Sequence, residues 1–131
     1  MGFIHIMRSA LPIVLFLCVS CSSLFGPDTS DVNVSVFMDR ISIHNNSSHP
    51  VYTVVIPTAD LPLADWIPCT NPQLCDGIAP GVRRLLSFPT RFHSTETADE
   101  AAVYWWHLVP TSGGGFVPDS LRVRRVRREM F

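Results

Sequence analysis

Two cysteines and several histidines are the residues of this sequence best suited to form a covalent link or to bind a metal. Cys69 and Cys75 enclose the segment TNPQL. Paired thiols either oxidise to a disulfide or bind a metal such as zinc. Four of the five histidines follow the first twenty residues, and none has a zinc-like spacing to this pair; they are His44, His49, His93 and His107. The spacing therefore favours a disulfide over a metal site, with free thiols as the other alternative, and we predict no metal and no cofactor.

Other residue types that carry chemistry occur without the patterns that catalysis needs. Asp60, Asp65 and Asp76 lack the alternating ligands of a calcium loop. The glycines at 113–115 are not followed by the lysine and hydroxyl residue of a phosphate loop. No serine sits in a glycine-flanked elbow, and no histidine is placed beside a nucleophile. We therefore predict no catalytic residues and a protein that is not an enzyme.

An aromatic stretch is the first candidate for a binding surface. Tyr104, Trp105 and Trp106 are followed by His107, so in a strand their large rings would point to both faces. One interpretation is a central strand whose tryptophans fill the core. The alternative is an exposed aromatic platform for a glycan, a peptide or a partner protein.

An arginine-rich stretch near the C-terminus is the second candidate. Arg122, Arg124 and Arg125 are followed by Arg127 and Arg128. One interpretation is an edge strand whose charges prevent unwanted pairing. The alternative is contact with anionic lipid headgroups or lipopolysaccharide phosphates, which attract basic clusters close to a membrane.

Length and charge restrict the class of protein. The chain has 131 residues, which is enough for one domain. Its formal net charge of −1 predicts no nucleic-acid partner. All of its basic residues except histidine are arginines, so no lysine amine is available for Schiff-base or general-base chemistry.

The N-terminus has the order of a signal peptide. Arg8 precedes an apolar run over residues 11–19, and Ser20 and Cys21 follow it. The run is too short to cross a bilayer, which takes about 20 residues. We therefore predict a cleaved signal peptide over residues 1–20, and Met7 is an alternative start of translation.

The exit from this run resembles the lipobox of bacterial lipoproteins. The sequence LCVSC at 17–21 places a small residue before Cys21. In that family the cysteine carries the lipid and becomes the new N-terminus, and the family's preferred leucine position is here Cys18. The resemblance implies a lipid anchor on Cys21 and a place in the cell envelope. In that family an aspartate after the cysteine tends to retain the protein at the inner membrane, so the resemblance implies that Ser22 favours the outer membrane. The membrane itself is then one partner. An oxidising envelope also favours a disulfide for Cys69 and Cys75.

The remaining chain predicts an all-β domain over residues 32–131, joined to Cys21 by a tether over residues 21–31. Alternating residues predict a strand from Val32 that continues past a bulge or break near Asp39. Further strands are predicted at 51–56, 82–88 and 121–126. Residues 57–81 contain several prolines, which forbid a long element, so we predict irregular structure there with at most one helical turn at 61–66. Residues 101–109 follow a possible capping box, yet their aromatic content favours a strand over a helix.

These elements predict a small antiparallel β-sandwich. An Asn-rich turn at 45–50 precedes the strand at 51–56, and Pro80 and Gly81 precede the strand at 82–88. These turns resemble those of small Ig-like domains on bacterial envelope proteins. The resemblance implies a lipid-anchored binding or assembly module whose partner is an envelope protein or a surface polymer. The alternative is a periplasmic lipoprotein that binds a small ligand or a metal through His44, His49, His93 or His107.

Overall fold

The computed structural model describes residues 31–129, which form seven strands and one 3₁₀ helix. The predicted all-β fold is confirmed. In chain order the strands are β1 (Val32–Phe37), β2 (Arg40–Asn45), β3 (Val51–Pro57), β4 (Gly77–Ile78), β5 (Arg83–Ser87), β6 (Glu100–Pro110) and β7 (Phe116–Arg127). The 3₁₀ helix spans Thr58–Leu63. The signal peptide, Cys21 and the tether before Asp31 lie outside the described residues.

Two antiparallel sheets pack face to face. The smaller sheet has the order β1-β2-β5, and the larger has the order β4-β3-β6-β7. This is the strand arrangement of an Ig-like sandwich, with β1, β2 and β5 in the places of strands A, B and E and with β3, β6 and β7 in those of C, F and G. The predicted Ig-like topology is therefore present.

The core lies between the two sheets and is built from alternate residues of each strand. Period two places every second side chain on the inner face of its sheet. The buried apolar cluster contains Val32, Val34, Ile41, Ile43, Val51, Ile78, Phe88, Ala101, Val103, Trp105 and Val126. Both sheets contribute to it, which is what holds them together.

The predicted bulge near Asp39 is a hairpin. Phe37 pairs with Arg40, so the chain reverses at Met38 and Asp39 and β2 returns antiparallel to β1. Met38 adopts a φ of 58°, which this tight reversal requires. The shift in alternation that the sequence shows is therefore a change of strand.

A real bulge lies in β7. Trp105 pairs with Arg122 and His107 with Asp119, so two residues of β7 stand opposite Trp106. One of them, Ser120, has a φ of 47°. The extra residue changes which β7 side chains face the core.

Candidate functional site

Strand β7 is the most exposed long element of the described chain. It forms an edge of the larger sheet and pairs with β6 alone. Leu121 and Val123 remain 49% and 54% exposed, and Val126 is the buried member of the strand. Leu121 and Val123 lie beside three arginines of the same strand, so β7 combines exposed apolar area with positive charge in one surface, which is the composition of many protein interfaces.

The arginines of β7 lie on both faces of the sheet. Arg122 and Arg124 pair with Trp105 and Val103, whose side chains face the core. Arg125 pairs with Ala102 and lies on the opposite face. All three arginines are solvent-exposed, because β7 is at the rim of the sandwich.

Carboxylates bind two of the five arginines at the C-terminal end of β7. Arg127 lies 3.2 Å from Glu100, and Arg128 lies 2.9 Å from Asp99. Within residues 31–129, no ion pair engages the guanidinium groups of the other three, which are Arg122, Arg124 and Arg125. These three charges are therefore available to an external anion.

The tryptophans of β6 are interior. Trp105 points into the sandwich core and is 7% exposed, while Trp106 points to the opposite face and is 3% exposed. Tyr104 is half-buried. Of the three aromatic residues predicted for a binding surface, Tyr104 alone keeps appreciable contact with solvent.

Residues 58–76, which we call the covering segment, bury the outer face of β6. Trp66 packs on Tyr104, with ring centroids 4.8 Å apart, and on Trp106, with centroids 6.0 Å apart. The indole Nε1 of Trp106 donates to the backbone oxygen of Cys69 over 3.0 Å. Tyr52 of β3 stacks on Trp106 from the neighbouring strand. A second small apolar cluster therefore forms on the outside of the larger sheet.

The predicted disulfide links Cys69 to Cys75 within the covering segment. The two Cα atoms are 5.9 Å apart, which fits a disulfide. The backbone N–H of Cys75 also donates to the carbonyl of Asn71 over 2.9 Å, so the ring contains a turn. The ring fixes the covering segment at the point where the indole of Trp106 binds it.

A buried carboxylate anchors the start of the covering segment. Asp60 lies in the 3₁₀ helix and accepts a hydrogen bond from the backbone N–H of Phe92 over 2.8 Å. It also forms an ion pair with Arg91 at 3.1 Å. The Phe92 N–H, with the Arg91 guanidinium second to it, holds the pKa of Asp60 below its ordinary value of 3.8. The carboxylate therefore has a structural role, joining the 3₁₀ helix to the loop before β6.

A cleft of about 480 Å³ opens where the β2–β3 turn meets the far end of the β6–β7 hairpin. The rings of His49 and His107 lie across it with centroids 6.4 Å apart, and Asp31 and Asp119 line it as well. Imidazole and carboxylate groups both form hydrogen bonds, so these side chains are suited to a small polar ligand. We call this the loop-end cleft.

The remaining histidines lie elsewhere. His44 is in β2 beside Arg83, and His93 is in the loop between β5 and β6. Across residues 31–129, no three His, Cys, Asp or Glu side chains group together as a metal site would need. Of the four histidines that the sequence offered as ligands, His49 and His107 therefore share the loop-end cleft, while His44 and His93 lie apart from it.

One contact in the loop-end cleft was not anticipated from the sequence. The hydroxyl of Ser48 lies 3.0 Å from Nδ1 of His49. Both residues are exposed, and among the hydrogen bonds of residues 31–129 no carboxylate contacts the imidazole of His49. A histidine that activates a hydroxyl is normally held by a third group, so this pair lacks part of a nucleophilic site.

Within the part of the chain that the structure describes, no helix is long and apolar enough to cross a bilayer. The chain matches no protein-family model, no curated protein and no solved structure.

Proposed function

We propose that this protein is a lipid-anchored, non-enzymatic binding module of the bacterial cell envelope. Cys21 carries the lipid, after removal of the signal peptide. The sandwich at the end of the tether presents a binding surface to an envelope protein or a surface polymer. No nucleic acid is involved, in keeping with the formal net charge of −1.

The surface of β7 carries this proposal. Exposed apolar side chains alternate there with guanidinium groups that no carboxylate of the described chain engages. Arginine combined with apolar area is typical of protein interfaces, where it supplies both contact area and directional hydrogen bonds. The tryptophans of β6 do not form a competing surface, because Trp105 is buried in the core and Trp106 is buried beneath the covering segment.

The disulfide supports export. Bonds of this kind persist in oxidising compartments and are rare in the reducing cytosol. A bridge between Cys69 and Cys75 is therefore what an envelope protein would contain. The lipid itself rests on the sequence at 11–21, which precedes the described residues.

The proposal is tested by crosslinking in living cells with metabolic labelling of lipids. The wild-type chain is compared with Cys21→Ala, which cannot be acylated. We expect lipid on the wild type only, and one discrete crosslinked partner that depends on the anchor. A wild-type chain without lipid would refute the anchor. A lipidated chain that captures nothing across crosslinkers for proteins and for glycans would refute the binding module.

The loop-end cleft favours a second candidate function, the binding of a small polar ligand in the periplasm. Its two imidazoles and two carboxylates could hold a ligand that carries both donors and acceptors. Mass spectrometry of the untagged protein under native conditions tests this, with His49→Ala and His107→Ala as variants. A bound mass that both variants lose would support this candidate over the first.

A further inference from the structure

We infer that β7 receives an acidic, extended segment of a partner protein, which adds to the larger sheet as a fifth strand beside β7. The inference deepens the proposed function, since it names the partner's chemistry at the same surface. Among residues 31–129 no strand pairs with the second edge of β7, although β1 passes close to it. Strand addition to such an edge is a common mode of peptide recognition, in which backbone hydrogen bonds supply affinity and side chains supply specificity.

The placement of the arginines fits a strand better than a flat ligand. Arg124 lies on the core-side face of the sheet and Arg125 on the opposite face. A strand added beside β7 would also direct successive side chains to the two faces. Acidic side chains on both faces would then meet a guanidinium as cross-strand neighbours, and Arg binds carboxylates through two parallel hydrogen bonds.

The apolar residues of β7 determine which uncharged residues the added strand should contain. Leu121 and Val123 lie on the outer face of the strand, on which Arg125 also lies. Their half-exposed side chains would be covered by β-branched or aromatic neighbours on an added strand. The preferred segment therefore mixes acidic with β-branched residues.

A second copy of this chain is a poor occupant of the edge. Antiparallel pairing of β7 with itself over residues 121–127 would bring arginines opposite or diagonal to arginines. Like charges in that arrangement destabilise a sheet. The same arginines thus exclude self-pairing and favour an acidic partner.

Lipid headgroups are also less favoured, because the basic part of β7 runs away from Asp31, the first described residue after the predicted tether. Asp31, which follows the tether, lines a small cavity together with Asp119 and Arg122 near the middle of β7. From there to Arg127 the strand extends roughly 17 Å at about 3.3 Å per residue. The loop beside Asp31, at 46–50, and the β6–β7 turn at 111–115 contain no arginine. A membrane held close to Asp31 would meet these loops before it met the basic part of β7.

The test measures binding of a synthetic peptide to the full mature chain in zwitterionic lipid nanodiscs. The peptide has a central Glu-Glu pair between valines, which places one glutamate on each face of the added strand. Two control peptides are used: one with lysine in place of glutamate, and one with alternate backbone nitrogens methylated, which keeps the charge but removes donors from the ladder. We expect binding of the first peptide only. Equal binding of the methylated peptide would overturn strand addition, because it would show that charge alone is recognised.

Matched variants locate the site. Arg124→Gln with Arg125→Gln removes one guanidinium from each face of β7, and we expect binding about tenfold weaker, from two exposed charge pairs of up to about 1 kcal/mol each. Arg40→Gln with Arg83→Gln removes two exposed arginines of the smaller sheet and should leave binding unchanged. Equal losses in the two double variants would overturn the assignment to β7.

The alternatives are distinguishable. The peptide assay is repeated in phosphatidylglycerol nanodiscs. If this anionic lipid abolishes peptide binding, and if it does so by occupying Arg124 and Arg125, the inference is overturned in favour of a lipid ligand. Failure of peptide binding together with a discrete crosslinked partner in cells would overturn strand addition while the binding module stands. Peptide binding by a chain that proves to carry no lipid on Cys21 would support the inference and refute the anchor alone.

Discussion

Removal of the disulfide should loosen the covering segment while leaving the sandwich folded. Cys69 and Cys75 close a small ring with a sequence separation of 6. For a ring of this size the loop-closure entropy corresponds to about 2 kcal/mol of stability. If the released ring also gives up the hydrogen bond from Trp106 to the backbone of Cys69, about 1 kcal/mol more is lost.

The assay is urea unfolding of Cys69→Ser with Cys75→Ser in a Cys21→Ser background, beside the same background with the disulfide intact. A loss of about 2–3 kcal/mol, divided by a slope of about 1–3 kcal/mol/M, should lower the midpoint by about 0.7–3 M. Tryptophan emission of the folded double variant should move to longer wavelength, because Trp66 and Trp106 become more hydrated. The disulfide-intact chain under reducing agent is the control and should behave as the double variant does.

An unchanged midpoint would refute this reasoning. It would mean that the turn between Asn71 and Cys75 holds the ring closed without the sulfur bridge. A midpoint that falls with unchanged tryptophan emission would refute only the link to Trp106. In that case the covering segment stays in place through the packing of Trp66 on Tyr104.

Three further predictions concern buried polar groups and one close contact. Asn45→Ala should lower the free energy of unfolding by about 3 kcal/mol, measured in urea, because the fully buried amide donates to the carbonyl of Ile78 and to a turn carbonyl, both at 2.8 Å. Asn45→Asp should not restore the free energy of unfolding, because a carboxylate cannot donate these two hydrogen bonds. Asp60→Asn should flatten the acid limb of the stability–pH curve. The pKa of Asp60 is lower in the folded chain, so its stabilisation is complete above the unfolded value near 3.8 and is lost as the pH falls through the folded value. If the acid limb survives the substitution, the loss of stability at low pH comes from other carboxylates. Gly77→Ala should destabilise by about 1 kcal/mol in thermal unfolding, because its Cβ would lie 3.0 Å from Cε1 of Tyr52. Tyr52→Leu should relieve that added cost, and a cost that persists would locate the effect in the backbone.

The strands with strong alternation could be predicted from the sequence, and the structure explains the exceptions. The prediction of a strand over 101–109 is confirmed by β6, whose aromatic and β-branched residues outweigh the capping box before it. Strand β4 was missed because it has two residues and no pattern, and it forms because Val51 supplies a pairing partner for Ile78. Such a strand is a consequence of tertiary structure.

The start of β7 was also missed. The sequence at 111–118 contains glycines and a proline, which predict a connection between strands. In the structure the chain reverses within 111–115, where Thr111 binds Gly115, and the strand then passes through Pro118. Pro118 is tolerated because β7 is an edge strand, where a missing N–H can face outward. The sequence alone does not reveal which strand lies at an edge.

The surface of the aromatic strand shows why a candidate site is harder to predict than a strand. Alternation predicts that Trp105 and Trp106 point to opposite faces, and it cannot tell whether both faces are covered. The cover over Trp106 comes from the covering segment, whose prolines gave no periodic signal. Arg124 and Arg125 have no such cover in the described chain, so the edge on which they lie is where the proposed function must be tested first. If neither an acidic strand nor an anionic lipid binds there, the arginines serve to protect the edge from unwanted pairing. The loop-end cleft between His49 and His107 then becomes the next surface to test.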